Sequence, residues 1–137
     1  MQKSGKVLGI DYGEKRIGLA ISDPQRMVVF PREVVENTGK QELFQFLSEY
    51  CAKENVQEIV IGLPLNEDHS ETRMTGVVRE FVEEFKTNIN IPIHLQDEKF
   101  TSLQAKNILE SLSMDPQEQR KHKDVLAAMI ILQEFLK

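Results

Sequence analysis

One cysteine, Cys51, stands in this chain of 137 residues. A lone thiol excludes both an internal disulfide and a cysteine-based zinc cluster. Its neighbours Leu47 and Tyr50 mark it as a buried thiol, and such sparing use of cysteine fits a reducing, cytoplasmic setting. No apolar run approaches the roughly 20 residues that a bilayer span requires, so no membrane partner is expected. The opening, Met1 to Lys6, is short and polar and reads as no secretory signal. Internal repeats and low-complexity linkers are missing too, so residues 1–137 are expected to form a single domain around one hydrophobic core. Excess positive charge is also lacking. A net charge of -5 counts against a broad basic face for phosphates. Even so, Lys15-Arg16 and Arg120-Lys121-His122-Lys123 are local basic clusters, and many of the acids fall on solvent faces of helices. Composition therefore leaves nucleic-acid binding open.

What is present is an ordinary globular mixture, 40% hydrophobic and 28% charged. Val7-Leu8-Gly9-Ile10 is an apolar run that ends at Asp11, followed by a polar turn from Tyr12 to Lys15. Ile17 to Ser22 forms a second β-like run, and Met27 to Val35 a third, with Pro31 tolerable at an edge or a bulge. Connections this short predict an antiparallel meander. The period then changes. Leu43, Phe46, Leu47, Tyr50 and Cys51 recur at helical spacing after the Asn37-Thr38-Gly39 turn. Glu58 to Leu63 is a short buried strand, and Met74, Val77, Val78, Phe81, Val82 and Phe85 form the clearest helical stripe. Ile91 to Gln96 supplies a fifth strand. Ala105, Ile108, Leu109 and Leu112 mark a third helix, and Val125, Ala128, Met129, Leu132 and Leu136 a fourth. Strands separated by helices run parallel, because the crossover returns the chain to the same end of the sheet. The expected class is α/β: a mixed five-stranded sheet, three antiparallel strands and then two parallel ones, flanked by helices.

In such a sheet, ligands gather beyond the carboxyl ends of the parallel strands. Asp11, the loop Gly62-Leu63-Pro64-Leu65-Asn66 and the pair Asp97-Glu98 all arrive there. Asp11 has two readings, a buried functional carboxylate or a turn residue capping the Gly13 and Glu14 amides. Asp97 and Glu98 point to opposite faces if strand alternation continues, so one of them faces the site; Glu98 is the choice and Asp97 its substitute. Asp124 lies beside Ala128 and Phe135 at the rim of the arc formed by Val125, Met129 and Leu132. It is either internal to a helix capped by Asp115-Pro116 with Glu118, or itself near a helix start at Lys123. Carboxylates gathered in one pocket repel one another unless a cation lies between them. An oxygen-only set suits Mg²⁺ or Mn²⁺ rather than zinc, and serves phosphodiester hydrolysis by polarising a phosphate and acidifying a water. His69, His94 and His122 lack ligand spacing; His94 reads as a packed or edge residue and His122 as part of the basic cluster. Thr101 and Ser102 are helix caps first and phosphate contacts second.

Gly9-Ile10-Asp11-Tyr12-Gly13, continuing through Lys15-Arg16-Ile17-Gly18-Leu19-Ala20, resembles the opening of the YqgF family, also called RuvX. The likeness extends through Val60 to Asn66, Asp97-Glu98-Lys99-Phe100-Thr101-Ser102, and Lys123 to Ala128 with Ile131-Leu132. Four blocks in order, at family-like spacing, cover essentially the whole chain. The resemblance implies a ribonuclease H-like fold and a metal-dependent nuclease that matures the 5′ end of the 16S rRNA precursor. It implies Asp11, Glu98 and Asp124 as catalytic and Mg²⁺- or Mn²⁺-binding acids. Lys15, Arg16, Asn66, Lys99, Thr101, Ser102 and Lys123 are then the expected substrate contacts, and precursor rRNA, with ribosomal particles, the expected partner. Two positions depart from the family pattern. Lys99 stands where arginine is usual, which keeps the charge but loses the bidentate fork. His69 stands where glycine is usual, which puts the shape of that loop in question.

Other classes compete. A Holliday junction resolvase-like DNA endonuclease would use the same acids, and a non-catalytic RNA-binding assembly factor could keep them without turnover. Asp11-x-Gly13 with Gly18 also resembles the first phosphate loop of the actin and sugar-kinase ATPases. Those enzymes enclose their nucleotide with two such domains, and this chain has length for one.

Overall fold

The computed structural model describes residues 4–98, 107 and 115–137. The strands are β1 (Lys6–Asp11), β2 (Arg16–Ser22), β3 (Val29–Glu36), β4 (Val56–Leu63) and β5 (Ile93–Asp97). The helices are α1 (Lys40–Glu54), α2 (Arg73–Lys86) and α3 (Pro116–Phe135). The sheet order is β3-β2-β1-β4-β5. β2 runs antiparallel to both β1 and β3, and β4 runs parallel to both β1 and β5. The mixed sheet expected from the sequence is the one observed. The helix expected around Ala105 to Leu112 lies outside the described residues.

Alternation along β1 sends Leu8 and Ile10 to one face and Val7, Gly9 and Asp11 to the other. The first face carries the larger core, where Ile17, Leu19, Ile59 and Ile61 meet Leu47 of α1 and Phe81 and Phe85 of α2. The second is covered by α3, whose Ala128, Ile131 and Leu132 pack on Val7, Ala20 and Val60. β4 is apolar on both faces for this reason. Cys51 is buried within the first core, which pushes its thiol up to about 12. No helix among the described residues is long and apolar enough to cross a membrane.

α3 comes unusually close to the sheet because glycine lines its path. A Cβ on Gly9 would lie 2.9 Å from the Leu132 Cβ, and one on Gly18 would collide with the backbone carbonyl of Asp124. One on Gly62 would collide with the Ile131 side chain. The helix begins at Pro116, with the Asp115 carboxylate accepting from the Glu118 amide at 3.0 Å, so Asp124 is internal and the alternative of a helix start near Lys123 is excluded. The buried stripe also differs from the expected one. Ala127, Ala128, Ile131 and Leu132 face the sheet, while Val125, Met129 and Leu136 are only half-buried. A glycine floor favours a small-residue face over the bulkiest arc. Asp124, four residues before Ala128 and seven before Ile131, therefore lies on the sheet-facing stripe and not at its rim.

β3 starts at Val29 rather than Met27, because the Asp23 carboxylate accepts from the amides of Met27 (2.8 Å) and Val28 (2.7 Å) and turns them out of the ladder. It is an edge strand, and Pro31 falls where its register with β2 shifts. At the pole where β1 and β4 begin, Glu58 is buried between Arg26 (2.6 Å) and His94 (2.8 Å). The His94 ring lies against Phe135 near the end of α3, the packed placement expected of it. Arg26 also donates to the Gly5 carbonyl at 2.8 Å.

Gly18→Ala is expected to lower the unfolding free energy by about 1–3 kcal/mol through overpacking. Gly76→Ala, on α2 with open space around the new methyl, should raise it by up to about 1 kcal/mol. Urea denaturation of the two variants checks both signs.

Candidate active site

Asp11 ends β1 on the face covered by α3. The turn after it is held from below: the Tyr12 ring stacks on Phe81 at 4.3 Å, and the Asn37 side-chain amide donates to the Gly13 carbonyl at 3.0 Å. Glu98 follows β5, its amide donating to the Leu63 carbonyl at 3.1 Å, which extends the ladder one residue. Asp97, paired with Leu63 in the register, is exposed and faces the other way. The Glu98 carboxylate instead lies over Gly62, where an added Cβ would sit 2.8 Å from Oε2. Gly62 thus makes room for both the helix and the carboxylate.

Burial raises the Asp11 carboxyl to about 7, with the charge of Asp124 pushing the same way and that of Lys123 opposing it. Burial and the charge of Asp11 raise Glu98 to about 8. Glu98 Oε2 is buried with no hydrogen-bond partner, a costly state for a carboxylate oxygen. Asp124 is near enough to act on Asp11, yet its Oδ2 accepts from Arg16 Nε at 2.9 Å. Among the described residues no three carboxylate, histidine or cysteine side chains are gathered around one point. The structure thus brings Asp11 and Glu98 together and leaves Asp124 at one remove. The pair fits a hard divalent cation, which would satisfy the partnerless buried oxygen and release the protons that the raised carboxyls retain.

The expected substrate residues that are described take different places. Lys15 is exposed on the β1–β2 turn, and Lys123 is half-buried near Asp11. Asn66 is exposed in the loop after β4 and donates to Ser70 Oγ at 3.0 Å. Lys99, Thr101 and Ser102 lie outside the described residues. His69 adopts φ 68°, the left-handed conformation that glycine takes freely, and its amide donates to the Asn66 carbonyl at 2.9 Å. The loop therefore closes as a tight turn with histidine in place of glycine. Beside Arg16 opens a cleft of about 990 Å³, lined by Lys15, Arg32, Asn37, Glu118 and His122 among others. Tyr12, Arg32 and Asn37 escaped the sequence reading. Tyr12 meets Phe81, and Asn37 meets Gly13, across stretches of chain that no local pattern bridges.

A sheet in the order 3-2-1-4-5 with crossover helices is a ribonuclease H-like fold. Two solved structures share the fold. Thermus thermophilus RuvC in complex with a Holliday junction substrate superposes with a TM-score of 0.57 at 14% identity, over 96% of this chain and 93% of that one. The fowlpox virus Holliday junction resolvase superposes with a TM-score of 0.59 at 11% identity, over 96% of each chain. A family model described as RuvX, Holliday junction resolvase, matches residues 5–137, and the chain belongs to that family. A relative from Maridesulfovibrio salexigens is 42% identical over 96% of this chain and 97% of its own length. One from Rickettsia bellii is 35% identical over 95% of this chain and 84% of its own. Both carry the provisional name pre-16S rRNA nuclease.

The raised carboxyls give stability a definite pH dependence. Asp11 and Glu98 bind protons more tightly in the folded chain than at their ordinary values of 3.8 and 4.5. Their contribution is full below about pH 4 and is lost as pH rises through about 7 and 8. Metal-free protein should therefore lose several kcal/mol of unfolding free energy between pH 5 and pH 9. Asp11→Asn should remove roughly half of that slope. Urea titrations in chelator at both pH values test this, and a profile identical in the variant would contradict it.

Proposed function

We propose that this chain is a cytoplasmic, divalent-metal-dependent nuclease that hydrolyses phosphodiester bonds in the maturation of the 5′ end of the 16S rRNA precursor, acting on the RNA or on ribosomal particles that contain it. The observation that carries the reading is the buried Asp11–Glu98 pair at the carboxyl ends of β1 and β5. An acidic pair so placed has no packing value and raises the free energy of the metal-free fold. Membership of the RuvX family and relatives named for pre-16S rRNA support the nuclease class and an RNA substrate.

In this reading Asp11, Glu98 and Asp124 hold Mg²⁺ or Mn²⁺. Bound there, the cation would polarise the scissile phosphate and lower the pKa of an attacking water. Lys123, the residue before Asp124 on α3, offsets the negative charge beside Asp11. Lys15, Arg16, Asn66, Lys99, Thr101 and Ser102 are then the contacts for the nucleic-acid backbone. The description of the family model favours a second reading, cleavage of branched DNA. The two substrates differ in groove shape and in the 2′-hydroxyl.

Purified protein is expected to cut a precursor-rRNA 5′ fragment in Mg²⁺ or Mn²⁺ and not in chelator. Asp11→Asn and Asp124→Asn should each abolish cleavage while retaining a cooperative melt. Undiminished cutting by either variant would remove the assigned site. Preference for a four-way DNA junction in the same assay would select the second reading, and binding of RNA without turnover would select a non-catalytic assembly factor.

A further inference from the structure

Arg16 belongs to both the cleft and the acidic margin. It lies two residues before Gly18 on β2, so both present to the face that α3 covers. At Gly18 the backbone carbonyl of Asp124 rests directly on the strand, which fixes the helix main chain there. The Asp124 carboxylate can therefore be redirected only by rotating its own side chain. In the structure that rotation is held toward β2 by the charge-assisted bond from Arg16 Nε, 2.9 Å long. Asp11 and Glu98 are assembled, and Asp124, whose charge reaches Asp11, has one carboxylate oxygen engaged by Arg16.

We propose that Arg16 is a latch: its guanidinium holds the Asp124 carboxylate away from the Asp11–Glu98 pair until a divalent cation draws that carboxylate in. The inference rests on the metal-binding reading of the site. The latch is placed to open. The Arg16 side chain is 39% exposed against 17% for Asp124, so the arginine is the partner that can leave to solvent. An ion pair this exposed is weak, and three carboxylates around a divalent ion outcompete it. On leaving, the guanidinium meets Glu36, its cross-strand neighbour, and Glu118 across the cleft, so it is not left without a counter-charge. Arg16 is thus a positioning residue, acting on the metal site through Asp124.

Calorimetric titration of Mn²⁺ into the full chain, without nucleic acid, separates this role from two others. Arg16→Gln is expected to bind Mn²⁺ roughly threefold to tenfold more tightly than the unaltered protein. In an Asp124→Asn background the same substitution should change affinity less than about twofold. An arginine that merely orients Asp124 gives weaker binding in Arg16→Gln, and one that merely adds positive charge gives a gain that survives in Asp124→Asn; either result overturns the latch. Arg16→Ala, run in parallel, repeats the cycle without a side-chain amide. Failure of both the unaltered protein and Arg16→Gln to bind Mn²⁺ would overturn the nuclease reading along with the latch, whereas binding with the wrong coupling overturns the latch alone.

Discussion

The close seating of α3 on a glycine-lined sheet is the constraint from which the rest of the architecture follows. Three strands contribute glycine to that face: Gly18 from β2 lies under Asp124, while Gly9 from β1 and Gly62 from β4 lie under the stretch from Ala128 to Leu132. Side chains there would lift the helix by the thickness of a methyl layer. Asp124 would rise with it, and the Glu98 carboxylate would lose the space above Gly62. Core packing and acid placement are therefore one problem with one solution, since interiors transmit even small displacements.

Electrostatics then opposes packing. The sheet draws Asp11 and Glu98 out of water, and that burial, with the charge of Asp124 acting on Asp11 and that of Asp11 on Glu98, raises both carboxyls. A fold optimised only for stability would place an apolar residue or a paired charge at such a margin. The compensation that does exist is local and unequal: Lys123 acts on Asp11, Arg16 on Asp124, and nothing among the described residues donates to the inner oxygen of Glu98. The imbalance is concentrated where strands from separate crossovers end together, as expected of a site for a positively charged ligand.

Much of this was legible in the chain. Period-two alternation gave the strands, period 3.6 gave α1 and α2, and alternation beyond β5 separated Glu98 from Asp97. Asp115-Pro116 offered the start that α3 adopts, because a cap and a fixed φ act locally, but a start near Lys123 stayed open beside it. What escaped depends on distant contacts. The buried stripe of α3 was misjudged because the weight given to Val125 and Met129 ignored a floor without side chains, and that floor is built from three strands. The start of β3 was misjudged because the Asp23 carboxylate competes for amides that β-propensity alone assigns to the ladder. Tyr12 and Asn37 support the turn after Asp11 through Phe81 and Gly13, partners that spacing does not reveal.

The cluster of Arg26, Glu58 and His94 carries a practical consequence. Arg26 grips the Gly5 and Ser4 carbonyls, and His94 receives Phe135 near the end of α3, so Ser4 and Lys137 both emerge at that pole. β1 runs from there to Asp11, about 20 Å away at the usual rise of a strand. Affinity handles, fluorophores or surface tethers attached at either position point away from the acidic margin, which leaves the opposite end of the molecule clear for a bulky polymer to approach.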